Sequence, residues 1–413
     1  MPSELSLHAW LGRAARWFGL ATAVGVVAGV AAAGFLVALA HATAWREGHA
    51  WIIALLPVAG FAIGLLYHWA GAPVAGGLHL VFAEVQAPTR VLPRRLAPMI
   101  LASTVVTHLF GGSAGREGTA VQMGAALADQ VGRPFALVGR DRRLLVLAGI
   151  AGGFGAVFGT PLAGTVFALE VVAVGALGRI AVVPCLIAAL VGHLVVRGLG
   201  VEHTPYPMIE VPAISVMLVL TLVAAGGVCG VVARAFVAAQ HAVQAIAERA
   251  IGWMPLRLAA GGALVALAVY SLGSTRHIGL SIPLMLDAFA APRPASDCVL
   301  KLALTALTLG CGFKGGEVTP LFVIGATLGS ALSAIMPGPG VAVLAAVGLV
   351  AVFAGAARTP LTCVVLAVEL FGIDLALPAA IACSASWAIA GRVGIYAPRA
   401  MPPVLEPGPG TNA

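Results

Sequence analysis

Charge is what this sequence has least of. Asp, Glu, Lys and Arg make up 9% of its 413 residues, against about 25% in a soluble globular domain. That scarcity excludes an ordinary water-exposed surface. Cysteine is sparse too: six residues, at positions 185, 229, 298, 311, 363 and 383, with no CxxC pair. Scattered and mostly within apolar runs, these read as small buried core residues rather than disulfide or metal cysteines. HExxH and Walker A motifs are absent. The net charge of +7 does not suggest nucleic acid, because the basic residues fall in short segments between apolar runs.

Those runs dominate the chain. Hydrophobic residues make up 60% of it, and the mean hydropathy is +1.03. Uncharged stretches cover Trp17 to Trp45, Trp51 to Ala83, Leu144 to Leu169, Val211 to Ala233, Leu258 to Thr275 and Val318 to Ala357. A crossing needs roughly 20 apolar residues, so several runs hold one crossing or more. In hydrocarbon every backbone polar group must be paired internally, which makes the spans helices. The fold class expected is an all-α polytopic membrane protein. Arg13 and Arg16, then Arg90, Arg94 and Arg95, then Arg133, Arg140, Arg142 and Arg143 mark cytoplasmic segments by the positive-inside bias. The first apolar run is too long for a signal peptide, although Ala40-His41-Ala42 mimics a cleavage site. It reads as a retained helix.

The chain repeats itself. Thr160-Pro161-Leu162 leads to Glu170, and Thr359-Pro360-Leu361 leads to Glu369, at an offset of 369 − 170 = 199. Gly149 and Phe154 match Gly348 and Phe353 at the same offset. Gly112, Gly115, Glu117 and Thr119 match Gly312, Gly315, Glu317 and Thr319 at an offset of 200. The halves are expected at 15–200 and 212–400, with a linker at 201–211 and a short tail at 401–413. Repeats of this kind are typical of transporters, whose sites lie where the halves meet.

Two glycine-rich loops carry the chemistry: GGSAGREGT and GFKGGEVTP. Each precedes an apolar helix. Glycine lets backbone N–H groups converge, and a helix N-terminus adds partial positive charge. Together they form an anion site without a full cation. Candidate anion-binding positions are Gly115, Gly118 and Thr119 in the first loop, and Gly316, Val318 and Thr319 in the second. Glu117 and Glu317 start the helices. A capping role would explain both, but a carboxylate held where an anion binds also competes with that anion. An acid within the membrane is a functional candidate by default. Arg116 and Lys314 read as locally paired or water-reaching. Glu170 and Glu369 end their helices, against the dipole, and are expected to pair with basic loops or lie at an interface.

At these residues the sequence resembles the CLC family of chloride channels and anion/proton antiporters. Gly115 to Gly124 is similar to the family's GREGPxVQxG motif. Gly315 to Gly329 resembles its GGxFxPxLxxGAxxG motif, and Thr160 to Glu170 its NAPLAGxxFxxE helix. The resemblance implies two inverted-topology repeats with several broken helices, a homodimer, and an anion-binding tyrosine, here Tyr396. The departures are Thr119 for proline, Val318 for phenylalanine, an acid at Glu317, and Val171 for the second acid of the family's EE pair. The family's GSGIP stretch is replaced by Ala75 to Leu80, which makes His79 a weak candidate. These changes resemble the fluoride-exporting branch. They imply fluoride/proton antiport across a prokaryotic inner membrane, with both termini cytoplasmic and no cofactor. A chloride-selective channel or chloride/proton antiporter is the alternative. Gly111 to Gly115 also matches GxSxG, but that elbow needs a strand, a turn and a helix, and the context here is helical.

Overall fold

A computed structural model describes residues 7–172, 178–336 and 338–396. Sixteen α-helices run through the described residues, eight before the non-helical segment 201–215 and eight after it. The first set is α1 (Leu7–Gly48), α2 (Leu56–Ala70), α3 (Gly77–Gln86), α4 (Leu96–Leu109), α5 (Glu117–Gly132), α6 (Gly139–Phe158), α7 (Pro161–Glu170) and α8 (Gly178–Gly198). The second is α9 (Val216–Ala250), α10 (Met254–Leu272), α11 (Ile282–Ala290), α12 (Ala295–Gly310), α13 (Val318–Leu332), α14 (Gly340–Ala357), α15 (Pro360–Phe371) and α16 (Ala376–Ile389). Among the described residues, six helical stretches are long and apolar enough to cross a membrane. The tail at 401–413 lies outside the described residues.

Two of the apolar runs break where their sequence says they must. The run from Leu144 divides after α6, where Gly159 takes φ 79° and Pro161 opens α7. Glycine past a helix end and proline at the next start are the favoured punctuation. The run from Val318 holds both α13 and α14. After α14 the left-handed residue is Arg358, with φ 64°. Its guanidinium is anchored on the Trp387 carbonyl and sits 4.3 Å from the Trp387 ring centroid.

Glycines set the depth of packing around the centre. A Cβ on Gly124 would fall 2.2 Å from Gly149 O, and one on Gly325 would fall 2.2 Å from Gly348 O. So α5 meets α6, and α13 meets α14, backbone to backbone. Small residues permit this approach within a membrane, where hydrophobicity itself does not drive helix pairing.

Of the two expectations for Glu170 and Glu369, a basic loop or an interface, the structure favours an interface, here the one between the halves. Neither meets a basic loop. Glu369 accepts from Leu162 N at 2.9 Å and Ala163 N at 2.7 Å, at the start of α7. Glu170 accepts from Leu361 N at 2.9 Å and Thr362 N at 2.7 Å, at the start of α15. Each acid caps its counterpart helix in the other half. The two helices therefore run antiparallel, which the repeat-related helices do only if the halves are inverted. The unfavourable dipole at an acid's own helix end is offset by the favourable one opposite. Replacing either glutamate with alanine should cost about 1–2 kcal/mol. Thermal unfolding in detergent checks this, and the double variant should lose more than either single one.

Candidate anion site

The two glycine-rich loops touch. Gly115 N donates to Gly316 O at 2.6 Å, and Gly316 N donates to Gly115 O at 2.8 Å, as an antiparallel bridge. No side chain fits there: a Cβ on Gly316 would fall 2.7 Å from Gly118 N, and one on Gly115 would fall 2.9 Å from Gly316 O. The N-termini of α5 and α13 thus converge, and their positive ends point into one region.

The bridge also corrects the register read from the motifs. It pairs Gly115 with Gly316, an offset of 316 − 115 = 201. The helix starts, Glu117 and Val318, give 318 − 117 = 201. The packing glycines give 325 − 124 = 201. Glu317 is therefore the counterpart of Arg116, not of Glu117. One residue is about 100° around a helix, so the two acids face different ways.

Glu117 reaches across to the other half. Its side chain is fully buried. Oε2 accepts from Thr319 N at 3.0 Å and from Arg116 N at 3.1 Å. Oε1 accepts from the Thr319 hydroxyl. The Arg116 Nε stands 3.4 Å from Oε1, and Arg116 Nη2 donates to Thr204 at 3.2 Å. The acid does not simply cap its own helix. It occupies the donors at the start of α13.

Glu317 points into a cavity of about 340 Å³. Gln240 Nε2 donates to its Oε1 at 3.3 Å. Tyr396 and His79 line the same cavity. The Tyr396 ring meets Phe82 and Phe167 edge-on, at 5.5 and 6.0 Å between centroids. The weak candidate His79 thus shares a cavity with Glu317. A second cavity, of about 420 Å³, reaches Arg116, Glu47 and Glu202. The first is lined by the C-terminal part of α9 and the second by that of α1. In inverted halves these helix ends point in opposite directions, and Arg116, whose Nε is 3.4 Å from Glu117 Oε1, lines the second cavity.

Thr119 is placed differently from the other candidates. Its hydroxyl pairs with that of Thr104 at 2.7 Å, and it lies inside α5 rather than at the N-cap. The donors on the Glu117 carboxylate come instead from Thr319 and Arg116. Val318 is buried at the first position of α13, and Gly118 lies against Gly316. Lys314 sits 4.4 Å from the Tyr67 ring centroid. Sequence reasoning missed Gln240 and Thr104, which stand in no motif. Ser113 of the GxSxG match takes part in a structural knot. It pairs with Thr305 at 2.9 Å and accepts from the fully buried Lys301 at 3.0 Å. That geometry binds the loop to α12 and presents no nucleophile.

Known proteins share this sequence pattern and this fold. The voltage gated chloride channel family matches residues 59–391. A chloride/fluoride channel protein of Pseudomonas syringae pv. tomato is 50% identical over 401 residues, 96% of this chain and 88% of its own length. An H(+)/Cl(-) exchange transporter of Vibrio parahaemolyticus is 30% identical over 300 residues, 68% of this chain and 63% of its own. The crystal structure of a CLC-type fluoride/proton antiporter superposes with a TM-score of 0.89 at 33% identity, covering 95% of this chain and 98% of the other.

Proposed function

This chain belongs to the voltage gated chloride channel (CLC) family, and we propose that it exports fluoride in exchange for protons. Anion movement across a membrane follows from the family and the fold; the choice of fluoride and the coupling are our reading. The observation that carries it is the Glu117 carboxylate on the Thr319 N–H and O–H, with Glu317 nearby in the Tyr396 cavity. Fluoride is small and strongly hydrated, so losing its water is costly unless strong donors replace it. A backbone N–H and a hydroxyl from one residue supply two such donors. The relatives named for fluoride support the same choice.

The cycle has two positions for Glu117. Ionised, it fills the anion site. Protonated, it loses its claim on the donors and swings out, and fluoride takes them. Glu317 passes the proton to or from the opposite face. Inward proton flow then drives fluoride out. Tyr396, Gly115, Gly118, Gly316 and Val318 shape the site, and Thr119 holds α5 to α4. The working unit is a homodimer in the cell membrane, with the Glu317 cavity and both termini facing the cytoplasm and the repeats at 15–200 and 212–400.

Purified protein in liposomes, read with fluoride and chloride electrodes, tests the substrate. Fluoride efflux should exceed chloride efflux by at least about tenfold, an energy near 1.4 kcal/mol. Equal or faster chloride efflux would favour the chloride reading. Thr319→Val keeps the N–H and removes the hydroxyl. A hydrogen bond to a charged group contributes roughly 1.5–3 kcal/mol, so fluoride affinity should fall about 10- to 100-fold.

A further inference from the structure

Gln240 lies on α9, more than a hundred positions from the first loop, yet it reaches Glu317. It is 8% exposed. Its Nε2 donates to Glu317 Oε1 at 3.3 Å, while its own Oε1 is buried with no hydrogen-bond partner among the described residues. Its backbone is fixed. A Cβ on Gly310 of α12 would fall 3.1 Å from Gln240 O, so the two helices meet at a glycine.

A carboxyl group that exchanges protons changes what it needs from a neighbour. Ionised, it only accepts hydrogen bonds; protonated, it has one O–H to donate. An Arg or Lys partner serves the ionised form alone and resists protonation. A second carboxylate serves the protonated form alone. A primary amide serves both. Its N–H donates to the carboxylate, and after a half-turn of the amide its C=O accepts from the acid. The vacant lone pairs on Gln240 Oε1 are the acceptor that the protonated state requires. Either way no buried polar group of the pair is left unsatisfied, a state that is costly.

We propose that Gln240 is a positioning residue for Glu317, an amide partner that holds the carboxyl group in both protonation states. This rests on Glu317 carrying protons. The other titratable and charged groups around the cavity are Tyr67 on α2, His79 on α3, Glu248 on α9, Arg257 on α10, Lys314 before α13, and Tyr396. Glu117 stands beyond Gly118. None of them changes when Gln240 is replaced, so they form a constant background.

The test is the pH dependence of proton-driven fluoride efflux from liposomes, for wild type, Gln240→Met and Gln240→Lys. Methionine has similar length and neither donor nor acceptor; of the two bonds removed, the one to the charged carboxylate is the stronger, so the profile should move to higher pH. Lysine supports the carboxylate alone, so the profile should move to lower pH. We expect about one unit in each direction, equivalent to a tenfold change in proton affinity. Gln240→Asn, too short to reach, should follow methionine and serves if the lysine variant does not fold. Slower transport with unmoved profiles in all variants, while wild type remains coupled, overturns the role of Gln240 alone. A wild type that moves fluoride without protons overturns both this role and the antiport reading.

Discussion

Glu117→Gln should give a folded protein that no longer exchanges protons for fluoride. The side chain is nearly isosteric, so the backbone bridge between Gly115 and Gly316 and the glycine contacts beneath it are kept. What changes is chemistry. The carboxylate now accepts from Thr319 N, the Thr319 hydroxyl and Arg116 N, all donors. An amide cannot carry a proton between faces, and its NH₂ would meet donors wherever it replaces an oxygen. Each hydrogen bond to a charged group is worth roughly 1.5–3 kcal/mol, so the neutral side chain forfeits most of its hold on the site. Proton flux driven by a fluoride gradient should fall at least about 100-fold, to the leak of empty liposomes, for a loss of near 3 kcal/mol in the coupled step. Fluoride binding should persist, because the donors remain. Fluoride-driven proton uptake, measured with a pH electrode, decides the matter. Uptake within a factor of two of wild type would remove Glu117 from the gate.

Glu317→Gln should have the second largest effect, and a different one. Glu317 is half-buried and lines the Tyr396 cavity, while the Thr319 N–H and hydroxyl donate to Glu117. Its loss removes an acid that shares this cavity with Tyr396 while leaving the competitor, Glu117, in place. Proton flux should fall by about tenfold or more, and fluoride binding should change by less than about threefold, below 1 kcal/mol. Isothermal titration of fluoride against coupled flux separates the two. A variant that loses binding and coupling together would make Glu317 an anion ligand rather than a proton carrier.

The fold was largely legible in the sequence because its signals are local. Glycine then proline divides Leu144 to Leu169 into α6 and α7, and proline again opens the matching helix α15 in the second half, after Arg358 in place of the glycine. The convergence of the loops was legible as well, since only glycine tolerates a backbone bridge there. What stayed hidden is long-range. That Glu170 and Glu369 exchange caps depends on two helices running antiparallel, which neither segment states alone. The register of Glu317 against Arg116 was obscured because the motifs GREGT and GGEVT align by eye on their glutamates. Helix starts and the bridge, not letters, set which way a side chain faces. Thr119 looked like a ligand because it departs from the motif, but its hydroxyl belongs to Thr104. Gln240 gave no sign, being one polar position on a long helix.

The central claim is that proton binding at Glu117 and Glu317 is traded for fluoride movement. Its most direct measurement uses liposomes with equal fluoride inside and out, the membrane potential clamped at zero, and protons in excess on one side. We predict that fluoride moves toward the acidic side and builds up there against its own gradient, until the two gradients balance. Fluoride that stays level on both sides while the pH gradient persists would contradict the account.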